Sequence, residues 1–193
     1  NKQWINFQKN LYPKINNLFD NKNKNILILL EKHFYEKVNN ENITIIDNQE
    51  ITKIINYLVS TNKYNLIIKK HPSSNFNFDY PTNNIFIVDN DKEYKTFQLS
   101  EYAHITLGFK SGAISDSIIL NKHFLLLEYC QPYELIASKY LNEENIASSF
   151  EDFKNKLQKY DCLKNKNDDF TNIYLGAKNK KVLNNYSNFL LSL

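Results

Sequence analysis

Asn25-Ile26-Leu27-Ile28-Leu29-Leu30 is apolar after its first residue, carries no charge and has the length of a strand. A strand with one wet face alternates apolar and polar residues. An unbroken apolar run is what a strand buried on both faces requires, and such strands belong to parallel sheets sandwiched between helices. A polar Asn/Lys run from Asp20 to Asn25 separates this run from what precedes it. Upstream, Trp4, Ile5, Leu11, Tyr12, Ile15, Leu18 and Phe19 fall near one helical face, with Pro13 interrupting. Residues 1–24 therefore read as a helix and connector.

Downstream the pattern alternates. Asp47 and Glu50 form a capping box for a helix that buries Ile51, Ile54, Ile55 and Leu58. Leu66–Ile68 and Ile85–Val88 are further strand-length runs, and Asn90 with Glu93 caps a helix through Tyr94, Phe97 and Leu99. Then come a strand at His104–Leu107, a helix at Ser111–Leu120, a strand at Phe124–Glu128 and a short one at Asn145–Ala147. A helix from Ser149 or Phe150 to Tyr160 follows, and a last one spans Asn179–Leu193. Strands alternating with helices predict an α/β fold with a doubly wound parallel sheet. The expected division is a Rossmann-like domain over 25–178 and a closing helix over 179–193, packed on the sheet or on a partner domain.

At 193 residues the chain has room for one sizeable core, and its 42% hydrophobic and 23% charged residues are those of a globular protein. The net charge is +3 and every basic residue is a lysine. Without arginine, the preferred fork for phosphates and base edges, and without a basic block, the sequence argues against a nucleic-acid binder. Cys130 and Cys162 provide neither a disulfide framework nor metal-ligand spacing, which fits a reducing cytoplasm. No run approaches the roughly 20 apolar residues of a membrane span. The start at Asn1 and the absence of methionine read as a piece of a longer polypeptide.

Ligands of doubly wound sheets bind at the carboxyl ends of the strands. Two segments stand there. Lys69-Lys70-His71-Pro72-Ser73-Ser74 follows the second strand. Pro72 fixes the chain as it leaves the sheet, and His71, beside two lysines and two hydroxyls, suits stabilisation of a departing phosphate. The same residues also suit a plain turn whose histidine caps a carbonyl. Gly108-Phe109-Lys110-Ser111-Gly112-Ala113 joins the fourth strand to its helix, a small-residue turn whose backbone N–H groups suit an anion. Asp116, five residues past Ser111, is a candidate acceptor for ribose hydroxyls. The alternative is an ordinary Ser cap with Asp116 on an exposed helix face.

Taken in order, the Lys-x-His-Pro element, the Ser-x-x-x-x-Asp turn and helix, and Asn121-Lys122-His123-Phe124 resemble the donor half of GT-B-fold capsule and surface-polysaccharide transferases. These include polysialyltransferases, Kdo transferases and teichoic-acid glycerophosphotransferases. The resemblance covers about Asn25 to Tyr160. It implies a cytoplasmic, inverting, metal-independent glycosyltransferase moving a sugar or polyol phosphate from a CMP- or CDP-linked donor to a capsule or lipopolysaccharide acceptor. It assigns His71 to the leaving phosphate and Ser111 to the same phosphate. Lys70, Pro72, Ser73, Gly108, Lys110 and Gly112 join the donor site, with Asp116 on the ribose. No cofactor is implied beyond the nucleotide donor. The general base is expected on a missing N-terminal domain, so this chain should bind without catalysing. Where many relatives have Ser-Ser, this sequence has Ser111-Gly112, and His123 replaces a usual proline.

Three other readings stand beside this one. A nucleotide-sugar epimerase would use a uridine nucleotide, and a non-catalytic module would bind glycan or protein partners. Asp89-Asn90-Asp91 resembles the Asp-x-Asp metal motif of the other main transferase fold, although the Asn90–Glu93 cap accounts for it. His33, after the first strand, suits packing, and Glu128, on the ligand edge at the close of the fifth strand, suits a solvated or capping residue. His104 starts a strand at the edge away from the ligand and reads as structural. The closing helix, headed by Lys178, Lys180 and Lys181, also suits peripheral contact with the inner face of the cytoplasmic membrane.

Overall fold

The computed structural model describes residues 2–30, 35–38, 41–44, 48–72, 83–89, 93–109, 114–130 and 141–160. Eight strands and five helices lie within them, in the order α1 (Lys2–Leu11), β1 (Lys24–Leu29), β2 (Tyr35–Val38), β3 (Glu41–Thr44), α2 (Asn48–Thr61), β4 (Tyr64–Lys69), β5 (Ile85–Val88), α3 (Thr96–Tyr102), β6 (Ile105–Gly108), α4 (Ile114–Ile119), β7 (His123–Leu127), β8 (Ile146–Ala147) and α5 (Phe150–Gln158). Asp47, the expected cap of α2, and the closing helix over 179–193 lie outside the described residues, as does Cys162.

Six strands form one sheet in the order β5-β4-β1-β6-β7-β8, and its neighbouring strands pair in parallel. Counted along the chain within this sheet, the order is that of a doubly wound, Rossmann-type fold, with the expected α/β architecture. The chain builds outward from β1 to one edge, returns to β6 and builds to the other. β1 and β6 therefore flank the topological switch point. The sequence did not foretell the antiparallel β2–β3 hairpin between β1 and α2, in which Tyr35 pairs with Thr44 and Val38 with Glu41.

Why the runs become strands is visible in their burial. Ile26 through Leu30 of the deciding stretch are all buried, alternate residues feeding opposite faces. Ile26, Ile28 and Leu30 meet Ile51, Ile54, Ile55 and Leu58 of α2, with Phe153 and Leu157 of α5 in the same cluster. Leu27 and Leu29 face Leu99 and Ala103 near α3, together with Phe19. On the side of β7, Ile114 and Ile118 of α4 pack on Phe124 and Leu126. Asn62 and Asn121, with φ of 52° and 55°, follow α2 and α4 in the left-handed conformation that asparagine tolerates well.

One sequence expectation needs correction, and another takes a definite form. The first helix stops at Leu11, just before the interrupting Pro13, because Pro13 disfavours a helical Tyr12 and cannot donate in a helix. Ile15, Leu18 and Phe19 still reach the core, from an irregular segment laid over α3. That segment is held by the Tyr102 hydroxyl, which accepts from the Leu18 amide at 3.1 Å, and by Gln98, which donates to the Pro13 carbonyl at 2.8 Å. The third helix starts at Thr96 with Lys95 as its cap, not at Asn90. Gln98 Oε1 accepts from the Lys95 amide at 3.0 Å, and Glu93 lies in a turn before it. The strand at Ile85–Val88 keeps its expected bounds, and the other boundaries agree within three residues.

Candidate functional site

The switch point puts two of the sequence-named turns on either side of β1. β4 pairs with β1 through Leu29 and Lys69, and β6 pairs with it through Ile28 and Leu107. The chain leaving β4 and the chain leaving β6 therefore emerge at the same sheet edge, one strand apart on each side. Ser73, Ser74, Lys110, Ser111, Gly112 and Ala113 lie outside the described residues, as do His33, Asn90 and Asp91.

At the end of β4 the three basic residues differ. Lys69 is buried, and its ammonium donates to the Tyr94 carbonyl at 3.3 Å, joining β4 to the loop before α3. The Lys70 amide extends the ladder to the Val88 carbonyl at 3.0 Å. Its side chain meets Asp89 just past β5, Nζ to Oδ1 at 2.8 Å. The Asp89 carboxylate of the suspected metal motif thus already has a cation beside it. His71 and Pro72 follow, exposed beyond the sheet edge, where a solute reaches the imidazole.

At the end of β6, Gly108 and Phe109 are buried. A Cβ on Gly108 would stand 3.0 Å from Ile114 Cδ1, so glycine is what lets α4 begin this close to the strand. The buried Ser117 hydroxyl donates to Thr106 Oγ1 at 2.7 Å and fixes the helix to the strand. Asp116, in the first turn of α4, is half-buried, and burial pushes its carboxyl from 3.8 up to about 6. A carboxylate that lacks water gains from hydroxyl donors, which is what a ribose diol offers.

The sequence underrated Glu128. It is half-buried where β7 passes into a 3-10 turn, and its Oε1 is sealed from solvent without a hydrogen-bond partner. A solvated strand end does not describe it. Beside it, burial and then the Cys130 thiol push the Tyr129 phenol upward. Only the strand order, which puts β7 next to β6, brings Glu128 near the switch point.

Away from these turns, a cleft of about 530 Å³ opens between residues 12–18 and the start of α3, lined by Tyr12, Lys14, Glu93, Tyr94, Lys95 and Gln98 among others. Among the described residues, none of those named from the sequence as donor-site candidates lines it. His104 sits at the opposite sheet edge, where its Nδ1 accepts from the Asn25 amide at 3.0 Å. Among the described residues no helix is long and apolar enough to cross a membrane.

No family model matches the chain. A comparison with curated proteins likewise finds no match. Among solved structures the chain is similar to Thermosulfurimonas dismutans KpsC, a beta Kdo 2,4 transferase, at 10% identity with a TM-score of 0.41. The similarity covers 56% of this chain and 35% of that one, so this chain spans about a third of that protein's length.

Proposed function

We propose that the chain is the nucleotide-sugar-binding half of a glycosyltransferase acting on a surface polysaccharide, with the donor at the carboxyl edge of β4, β1 and β6. One observation carries this reading: the His71 turn and the Gly108 turn, far apart in sequence, flank the switch point of the sheet. In doubly wound folds that crevice is where nucleotides bind.

In this reading the donor phosphate lies between the two turns. His71, exposed and beside Lys70, donates to the leaving phosphate oxygens as the bond to the sugar breaks. Ser111 and the backbone donors of its turn hold the same phosphate, and Gly112 gives it room. Asp116 accepts from the ribose. The donor is a cytidine nucleotide linked to a sugar or polyol phosphate, and the acceptor is a capsule or lipopolysaccharide chain. Its hydroxyl is deprotonated by a base on another domain, with inversion and without a metal.

The test is a thermal-shift titration with CMP, CDP, UDP and GDP on the wild type, His71→Ala and Ser111→Ala. A nucleotide binding only the folded state adds about 2.7 kcal/mol at a hundredfold excess over Kd. Stabilisation by a cytidine nucleotide, lost in both variants, is the expected result. A response to UDP alone moves the assignment to an epimerase or to another transferase branch. Silence toward all four removes the donor site and leaves a non-catalytic binding module.

A further inference from the structure

The cleft between residues 12–18 and the start of α3 holds about 530 Å³, within the roughly 300–1,000 Å³ of ligand clefts. Its outer wall is a strap fixed by two tethers. Gln98 donates to the Pro13 carbonyl at 2.8 Å, and the Tyr102 hydroxyl accepts from the Leu18 amide at 3.1 Å, so the strap is pinned to α3 at both ends. The cleft is therefore preformed. It also lies beside the carboxyl edge of the sheet. α3 follows β5, and the buried Lys69 ammonium at the end of β4 donates to the Tyr94 carbonyl in the cleft wall at 3.3 Å. Lys69 stands two residues before His71, so the cleft adjoins the proposed donor edge on its β5 side.

The lining sets the ligand chemistry. Lys14 and Lys95 face one carboxylate, Glu93, and among the described residues the salt bridges reach none of the three. Tyr12 and Tyr94 are half-buried in the walls and offer ring surface, and Asn16 and Asn17 add amides. Rings, amides and cations together suit a polyhydroxylated chain that carries negative charge. The apolar faces of its sugars pack on the tyrosines, its hydroxyls meet the amides and Glu93, and its carboxylates or phosphates meet the lysines. A protein segment fits poorly, since the centres of protein interfaces are depleted in charged side chains.

We propose that this cleft binds a stretch of anionic oligosaccharide. The inference rests on the transferase reading above and adds a second site to it. The cleft grips the body of the acceptor chain while the reacting end reaches the donor at the carboxyl edge of β4, β1 and β6. Because the lysines carry part of the contact, it weakens as salt rises.

The experiment is a calorimetric titration of the full chain, at low and high salt, with a galacturonic acid tetramer, a hyaluronan tetramer and neutral maltotetraose, each with and without CDP. The expected result is binding of an acidic tetramer that maltotetraose does not match, weaker at high salt and undisturbed by CDP. Lys14→Gln with Lys95→Gln should lower that affinity by about tenfold or more and leave the melting temperature and the CDP response in place. Lys14→Glu, a single change at an exposed position, should lower it too. Silence toward both acidic tetramers overturns the proposal, as does equal affinity for maltotetraose or full affinity in the lysine variants. Displacement of the tetramer by CDP also overturns it, because the cleft is then the nucleotide's own seat. A CDP response without tetramer binding removes the cleft and keeps the donor site. Tetramer binding without a response to any nucleotide keeps the cleft's ligand and overturns the donor reading, and with it the acceptor role.

Discussion

The Lys70 ammonium stands 2.8 Å from the Asp89 carboxylate, so the charges just past β4 and β5 neutralise one another across adjacent strand ends. Asp89 is 63% exposed, which makes the pair weak, worth about 1 kcal/mol or less. Its interest lies in what it withholds from an incoming phosphate. Asp89→Asn should tighten CDP binding by up to about fivefold, the equivalent of that ceiling, with little change in stability. Calorimetric titration at low and high salt checks this. An unchanged Kd in Asp89→Asn would take Lys70 out of the donor site.

Gly108→Ala tests the approach of α4 to β6. The new Cβ would lie 3.0 Å from Ile114 Cδ1 and 3.5 Å from its Cγ1. Overpacking of this kind costs on the order of 1–3 kcal/mol. Ile114→Val deletes the nearer methyl, so adding it to Gly108→Ala should recover part of the loss. Urea denaturation of both single variants and the double measures the coupling. Strictly additive losses would show that the two side chains do not meet.

Asp116 should make the protein's stability depend on pH. Its carboxyl titrates at about 6 in the folded chain and near the ordinary 3.8 when unfolded. Below about pH 4 both states hold the proton and no penalty exists. From there to about pH 6 the unfolded chain releases it first, so stability falls as pH rises. Above about pH 6 the cost levels off, on the order of 3 kcal/mol at ~1.4 kcal/mol per pH unit. Asp116→Asn should therefore raise the melting temperature near neutral pH, leave it in place near pH 4, and weaken nucleotide binding. Equal stabilisation at both pH values would exclude the buried charge as the cause.

The unbroken run at Ile26–Leu30 was enough to announce a sheet buried on both faces, since continuous apolar residues have no other use at strand length. The β2–β3 hairpin was invisible for the opposite reason: Tyr35-Glu36-Lys37-Val38 and Glu41-Asn42-Ile43-Thr44 lack any apolar stripe to betray a strand. Ile15, Leu18 and Phe19 were placed on one helical face with Trp4 and Leu11, yet they reach the core from an irregular segment while Trp4 and Leu11 stay exposed, because apolar spacing alone does not say which residues a broken helix buries. At the site, turns after strands were legible one by one. Which turns share an edge was not, because strand order is a long-range property. Hence the Lys70–Asp89 pair and the shielded Glu128 carboxylate emerge only from the fold.

His71 and His104 give the sharpest contrast between the two sheet edges. At the amino edge the His104 Nδ1 accepts from the Asn25 amide at 3.0 Å, while the His104 amide donates to the Asn25 carbonyl at 2.8 Å. That ring ties β6 to β1 at the end remote from the switch point. His104→Ala leaves a largely buried amide without its acceptor and should cost about 1–2 kcal/mol, with nucleotide affinity unchanged. His71, exposed past the carboxyl edge, should do the reverse: His71→Ala shifts stability by no more than about 0.5 kcal/mol and abolishes the nucleotide response. Melting curves of both variants with and without CDP read the two effects together. If His104→Ala loses the ligand and His71→Ala keeps it, the nucleotide sits at the amino edge, and the switch-point site is wrong.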